Sequence, residues 1–260
     1  APAAQPSNVM NVFDTHFHII DPRFPVMENQ GFLPPIFTVD DYRARTAGLN
    51  IAAGTVIAGS FQGTQTEYMY DALKAFGPTF VGVIQVPATV TDEEVLKLNA
   101  AGVRAVRFNL YRGGSAGIDD MDRLARRVHD LAGWHAELYA DAAALEGVFD
   151  TVANLPRFSI DHLGMTQAGL PTLLKLAERG AKVKATGFGR TEVDVPSALR
   201  DLASANPGCL MFGTDLPSQR ARRPFMPSDM DLIRDTLGEA VSRKVFWENA
   251  AAFYRPAQLP

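Results

Sequence analysis

The sequence predicts an α/β fold, a single and somewhat distorted (β/α)8 barrel of the TIM type. Short β-branched or aromatic runs alternate along the chain with amphipathic stretches, which predicts parallel strands joined by right-handed helical crossovers. There are eight such units, and eight is the number that closes a barrel. Polar residues follow the strands of several units, whereas an open doubly wound sheet would concentrate its chemistry at one switch point.

The strand predictions rest on short runs that are rich in β-branched and aromatic residues and are bounded by turn formers. The third run, Phe-Val-Gly-Val-Ile-Gln-Val, shows this composition clearly. In chain order, the predicted strands cover residues 12–18, 54–59, 80–86, 103–109, 134–140, 157–161, 181–186 and 210–214.

The helix predictions rest on amphipathic spacing and on stop signals. In the fourth helix, Met121, Leu124, Val128 and Leu131 recur on one face. Glycine or proline follows many of the helices, at Gly77-Pro78, Gly102, Pro156, Gly180 and Asn206-Pro207-Gly208. In chain order, the predicted helices cover residues 40–48, 64–76, 92–101, 119–131, 142–155, 170–179, 196–205, 228–237 and 242–254.

Composition excludes several classes of protein. The single cysteine, Cys209, excludes a disulfide framework and a thiolate metal cluster. The net charge of −4 gives no reason to expect nucleic acid or an anionic membrane as a partner. No apolar run approaches the ~18–20 residues that are needed to cross a bilayer.

We expect residues 1–10 to form a poorly ordered N-terminal lead and residues 11–260 to form the one barrel domain. The lead has neither an apolar core nor a basic flank, so a processed end, a cloning remnant and a disordered lead all stay open. In the absence of a targeting signal we expect a cytoplasmic protein.

Histidines and an aspartate follow three of the predicted strands. His16 and His18 end the first strand and share a face, because successive strand side chains alternate. His162 ends the sixth strand, and Asp215 ends the eighth, which lies beside the first in a closed barrel. Each residue alone is explained more simply as a cap, a turn former or an exposed strand end. Together they predict one site, which could bind a metal or donate hydrogen bonds to a substrate oxygen.

The segments DTHFHIIDP, GVRAVRFN, IDHLG, VKATGFGR and GTDLPS resemble the amidohydrolase superfamily. More narrowly, they resemble its metal-independent lactonase branch, typified by 2-pyrone-4,6-dicarboxylate lactonase. The resemblance covers residues 11–255, nearly the whole chain. It implies a distorted (β/α)8 barrel with catalytic residues at the positions of His16, His18, His162 and Asp215.

The resemblance also implies residues that bind the substrate. Arg107 and Arg190 match arginines that hold substrate carboxylates, to which the planar guanidinium is suited. Arg112 follows in the loop after the fourth strand, and Tyr139 ends the fifth strand. The segment GSFQGTQTEYM resembles the stretch after the second strand and adds Ser60.

The residues of the fifth strand indicate whether the site binds a metal ion. In the wider superfamily this strand supplies a metal-binding histidine or carboxylated lysine, but here Tyr139 ends the strand and His135 lies at its other end. We therefore expect no cofactor and no metal ligands. The runner-up is Zn²⁺ held by His16, His18, His162 and Asp215, a donor set that suits zinc.

The function expected from the resemblance is hydrolysis of a carboxylate-bearing lactone, either 2-pyrone-4,6-dicarboxylate-like or derived from a sugar acid, with Asp215 as general base. Three alternatives stay open: a Zn-dependent hydrolase or decarboxylase that uses the same residues, a lactone isomerase, and a non-catalytic barrel that binds a small acid. The expected partner is a small-molecule lactone or carboxylic acid. The oligomeric state, including a homo-oligomer, is left open.

Overall fold

The computed structural model describes residues 10–260, so the predicted N-terminal lead lies outside the described residues except for Met10. Eight parallel strands form one sheet in sequential order. They are β1 (Val12–Phe17), β2 (Ile51–Ile57), β3 (Phe80–Ile84), β4 (Val103–Asn109), β5 (His135–Tyr139), β6 (Phe158–Ile160), β7 (Lys182–Ala185) and β8 (Leu210–Phe212).

The sheet closes through the residues that follow β1 and β8. Phe17 forms a parallel bridge with Leu216. The backbone amide of His18 donates to the carbonyl of Leu216 at 2.8 Å, and that of Asp215 donates to the carbonyl of His16 at 2.7 Å. The prediction of a (β/α)8 barrel is therefore confirmed, and its closing seam passes between the two predicted catalytic segments.

Helices follow the strands along the chain. They are α1 (Val39–Arg45), α2 (Glu67–Phe76), α3 (Asp92–Ala101), α4 (Ile118–Ala132), α5 (Phe149–Ala153), α6 (Leu170–Glu178), α7 (Val195–Ala205), α8 (Pro227–Arg243) and α9 (Asn249–Tyr254). No helix in residues 10–260 combines the length and the hydropathy that a bilayer crossing requires.

One helix prediction needs correction. The stretch predicted as one helix over 142–155 begins as a 3₁₀ helix, Ala142–Val148, and becomes α-helical only at α5. Gly147, a poor helix former, lies just before the change. The break predicted after residue 237 is confirmed, because Gly238 has non-helical φ and ψ of +79° and 171° and interrupts α8 with a kink.

Apolar side chains fill the lower part of the barrel. A cluster from several strands meets α9 there, and its buried members are Phe13, Ala53, Ile57, Val81, Val83, Ala105, Met211, Ala250, Phe253 and Tyr254. A second and larger cluster lies between the strands and the surrounding helices. Because α9 closes the amino-terminal end, chemistry is confined to the carboxyl-terminal mouth.

An irregularity in β1 determines which of its side chains face inward. Asp14 pairs with Gly54 and Phe17 with Val56, so three steps along β1 match two along β2. This extra residue is a β-bulge, which re-aims the side chains beyond it. Phe13 points into the barrel, and strict alternation from it would turn Phe17 inward as well. Instead Phe17 stacks on Tyr42 of α1, with ring centroids 3.8 Å apart.

Candidate active site

The four predicted catalytic residues meet at the mouth of the barrel. Asp215 Oδ1 lies 3.7 Å from His16 Nε2, 3.8 Å from His18 Nε2 and 4.0 Å from His162 Nε2. All four side chains are buried. These separations are too long for direct hydrogen bonds. A water or a substrate oxygen between the four groups could bridge them.

Close backbone approach holds this arrangement. A Cβ on Gly213 would lie 2.8 Å from the backbone nitrogen of His16 and 2.8 Å from Thr186 Cγ2, so a larger residue would separate β8 from β1. His162 and Asp215 both have positive φ, 51° and 56°. Such conformations cost about 1–3 kcal/mol each and cluster at functional sites, where the surroundings enforce them.

The hydrogen bonds of the other ring nitrogens orient the imidazoles. His18 Nδ1 lies 2.8 Å from the carbonyl oxygen of Ile57, which can only accept, so Nδ1 carries the hydrogen and Nε2 has a lone pair. His16 Nδ1 lies 3.1 Å from Lys184 Nζ. His162 Nδ1 lies 2.6 Å from the hydroxyl of Thr186, which can donate or accept.

Burial and positive neighbours keep the imidazoles neutral. Desolvation, aided by the charge of Arg107, lowers the pKa of His18 to about 3. Desolvation also lowers the pKa of His16 and of His162 well below the usual value, and the charges of Lys184 and Arg190 respectively add to this effect. Neutral imidazoles can each present either a donor or a lone pair, depending on the tautomer.

Two effects shift the pKa of Asp215 in opposite directions. Burial raises its pKa above the usual aspartate value, although the guanidinium of Arg190 acts against this shift. Arg190 donates from Nη1 to Asp215 Oδ2 at 3.0 Å. A carboxylate with a raised pKa is a stronger base, which suits a group that must take a proton from water.

The predicted substrate-binding residues line one pocket at the mouth. Its lining includes His18 together with Ser60, Arg107, Arg112, Tyr139 and Arg190. Arg220 from the loop after β8 also lines it. The structure therefore brings all five predicted binding residues to one pocket that also includes His18.

The arginines differ in how many of their hydrogen-bond donors are already paired with protein atoms. Arg107 donates to Asp161 Oδ2 at 2.9 Å and to the carbonyl of Ala58 at 2.7 Å. Arg190 donates to Asp215 and to the hydroxyl of Tyr139. Arg112, nearer the solvent, donates to the side chain of Gln30 at 3.0 Å.

Several buried polar atoms of the site have no hydrogen-bond partner among the described residues. They are His16 Nε2, Arg107 Nε, Arg112 Nε and Asp161 Oδ1. Buried polar atoms are normally paired, and exceptions call for an explanation such as a missing ligand or water. These four atoms at the mouth agree with a site for a polar ligand.

Sequence reasoning missed a buried layer beneath these residues. Asp161 precedes His162 and pairs with Arg107. Lys184 on β7 donates to Glu137 on β5, and both side chains are fully buried. Alternation along β7 could have indicated that Lys182 or Lys184 faces inward, but it does not distinguish between them.

Some side chains of the site could offer ligands to a metal ion. Two groups of side chains have donor atoms within 4.8 Å of one another, His16 with Asp161 and His162, and His16 with His18 and Asp215. They match zinc in kind. However, both need a lone pair on His16, and Lys184 Nζ lies 3.1 Å from Nδ1, where an ammonium can only donate and would place the hydrogen of a neutral imidazole on Nε2. In this hydrogen-bonded state the residues do not fit a metal ion.

Comparison with known proteins agrees with the fold and the motifs. The amidohydrolase family profile matches residues 13–255. A 2-pyrone-4,6-dicarboxylate hydrolase from Comamonas testosteroni is 30% identical, over 95% of this chain and 90% of that protein. A D-galactarolactone isomerase from Agrobacterium fabrum is 26% identical, over 97% and 94%.

A solved structure shares the same fold. It is a probable 2-pyrone-4,6-dicarboxylic acid hydrolase from Acinetobacter baumannii, crystallised with citric acid bound. The TM-score is 0.79 at 22% identity, over 95% of this chain and all of that chain (100%).

Proposed function

The chain belongs to the amidohydrolase family, and on that premise we propose that it hydrolyses a carboxylate-bearing lactone with Asp215 as general base. The family and the curated hydrolase relative support a hydrolase that acts on a lactone. The observation that carries the proposal is the position of Asp215 Oδ1, 3.7–4.0 Å from three imidazole nitrogens at the barrel mouth.

In the proposed reaction, a water molecule lies between Asp215 and the imidazoles. Asp215 Oδ1 takes one proton as the water oxygen attacks the lactone carbonyl. His16 donates from Nε2 to the developing oxyanion, with His162 beside it, and His18 Nε2 accepts a hydrogen bond that orients the water. The ring C–O bond then breaks, and the proton held by Asp215 passes to the departing oxygen, which yields the hydroxy acid.

The basic mouth supports an acidic substrate. Arg107, Arg112 and Arg190 all line the pocket that His18 enters, so its walls are positively charged. Tyr139 and Ser60 would orient the ring. Arginine forks bind carboxylates through paired charge-assisted hydrogen bonds, which fix orientation as well as affinity.

We propose that the reaction uses no metal and no other cofactor. The presence of Tyr139 at the end of β5 and the hydrogen-bonded state of His16 support this. The runner-up is a Zn²⁺-dependent hydrolase or decarboxylase built on the same residues. It would require His16 to change its hydrogen bonding.

A lactone isomerase is a second candidate, since one curated relative is a D-galactarolactone isomerase. Product analysis in ¹⁸O-labelled water separates the candidates. The panel comprises 2-pyrone-4,6-dicarboxylate, D-galactarolactone and a neutral sugar lactone. Hydrolysis places one ¹⁸O in the acid product and releases a proton per turnover, whereas isomerisation does neither. Binding by calorimetry without turnover on any member would identify a non-catalytic barrel.

A further inference from the structure

Lys184 lies directly beneath the proposed catalytic group and has no role in the reaction described above. We propose that Lys184 is a positioning residue that holds His16 in the tautomer with its hydrogen on Nε2. The inference depends on the proposed function only for its effect on turnover.

The contacts of Lys184 account for all of its hydrogens. Its Nζ lies 2.9 Å from the carbonyl oxygen of Thr15, 3.1 Å from His16 Nδ1 and within hydrogen-bond distance of Glu137 Oε1. An ammonium group has three hydrogens and no lone pair, so it can only donate. His16 Nδ1 must therefore accept, and a neutral imidazole that accepts at Nδ1 carries its hydrogen at Nε2.

Surrounding groups hold the ammonium in place. Glu137 also accepts from the hydroxyl of Tyr254 and lies 2.7 Å from His135 Nε2. Burial would raise the pKa of Glu137, but Lys184 and His135 together lower it to about 2, so the carboxylate stays ionised. The charged pair is thus anchored to β5 and α9, which are independent of the catalytic loops.

Asp161 is the group that would favour the other tautomer of His16 if Lys184 were absent. Asp161 Oδ1 lies 3.8 Å from His16 Nδ1 and has no hydrogen-bond partner among the described residues. Without the ammonium, this carboxylate would favour the hydrogen on Nδ1 and leave a lone pair on Nε2. That is the state of His18, whose Nδ1 faces the carbonyl of Ile57.

The two histidines therefore present opposite groups to Asp215. His16 offers a hydrogen and His18 a lone pair, although they are two residues apart on one strand end. A donor beside an acceptor can bind a substrate oxygen and a water at the same time. Two lone pairs beside a carboxylate would instead form a metal site.

The test is ¹⁵N NMR of the whole protein with ¹⁵N-labelled histidine, at neutral pH and after chelation. Protonated and unprotonated ring nitrogens have well separated shifts, and the His16→Gln protein identifies the signals of His16 among the five histidines. We expect His16 protonated at Nε2 in the wild type and at Nδ1, at least in part, in Lys184→Met. Lys182→Met is the matched control, since Lys182 lies on the same strand but donates to the carbonyl of Gly208.

Zinc affinity gives a second readout, measured by competition with a chromophoric chelator. Lys184→Met should bind zinc at least about tenfold more tightly than the wild type, because it frees a lone pair on His16. If Lys184→Met is poorly folded, Lys184→Met with Glu137→Gln removes both buried charges and serves in its place.

Three results would overturn the inference: a wild-type His16 with its hydrogen on Nδ1, a tautomer that Lys184→Met leaves unchanged, or wild-type zinc affinity equal to that of Lys184→Met. Neither readout uses a substrate. Failure to hydrolyse any lactone would therefore count against the proposed function alone.

Discussion

Arg190 Nη1 lies 3.0 Å from Asp215 Oδ2, while Asp215 Oδ1 faces the three imidazoles. The two oxygens of one carboxylate thus have different surroundings. Oδ2 is held by a fixed charge, which sets the orientation of the group, and Oδ1 is left for water. The same arginine also donates to Tyr139, so it links the proposed base to the substrate pocket.

Replacing Asp215 by asparagine should reduce kcat for an acidic lactone by about 10²–10⁴-fold, because the amide keeps the shape but cannot accept the proton. Steady-state kinetics and circular dichroism would check the rate and the fold. Asp229→Asn is the matched control, since Asp229 is buried but pairs with Arg223 outside the proposed machinery. Near-normal turnover in Asp215→Asn would assign the base to another residue.

The pH profile should reflect the raised pKa of Asp215. A general base must be ionised, so activity should be lost as the pH falls through this pKa. Because burial raises it, the acid limb of kcat/KM should lie above the ordinary aspartate value of 3.8. Arg190→Gln removes the charge that opposes the shift and should move the limb to higher pH. If the acid limb of Arg190→Gln stays at the wild-type pH, a group other than Asp215 controls it.

Arg112→Lys should lower kcat/KM for an acidic lactone by about 10–100-fold and leave a neutral lactone nearly unaffected. A point ammonium cannot reproduce the paired hydrogen bonds of the guanidinium, and a hydrogen bond to a charged group contributes about 1.5–3 kcal/mol. Arg234→Lys, at a partly exposed arginine on α8, is the control. An unchanged ratio of acidic to neutral kcat/KM in Arg112→Lys and Arg190→Lys would indicate an uncharged substrate.

Glu137→Ala should cost about 3–5 kcal/mol of unfolding free energy, because it leaves Lys184 buried and without its carboxylate. Adding Lys184→Met should recover part of this loss. Urea unfolding measures both variants. Glu239→Ala, which breaks an exposed pair with Arg243, should cost no more than about 0.5 kcal/mol. Equal losses of unfolding free energy in Glu137→Ala and Glu239→Ala would show that the buried pair contributes little to stability.

The strand count and chain order were enough to predict the barrel and the meeting of β1 with β8. Both follow from alternation and from closure, which depend on patterns that every unit repeats. The sharing of one face by His16 and His18 was also predicted from alternation. Their inward direction depends on the bulge after Asp14, which no residue pattern in the first strand indicated.

The buried layer was beyond sequence reasoning for a different reason. Lys182 and Lys184 share a face of β7 by alternation, and only the register of β7 between β6 and β8 sets Lys184, rather than Lys182, at the level of Glu137 and His16. Likewise, the resemblance implied that Arg107 binds a substrate carboxylate, which stays a prediction, and no residue pattern indicated that its two terminal nitrogens contact Asp161 and Ala58. The hydrogen-bond partners of such buried side chains depend on contacts between segments that are distant in the chain. These contacts cannot be inferred from the pattern of a single sequence.

The most direct test of the central claim is the rate of proton release from 2-pyrone-4,6-dicarboxylate by metal-stripped wild-type protein in a pH-stat, with metal content measured on the same sample. We expect turnover to proceed without stoichiometric metal and to stay the same when Zn²⁺ is added. Absence of turnover in the stripped protein, with full recovery on addition of Zn²⁺ alone, would contradict the account.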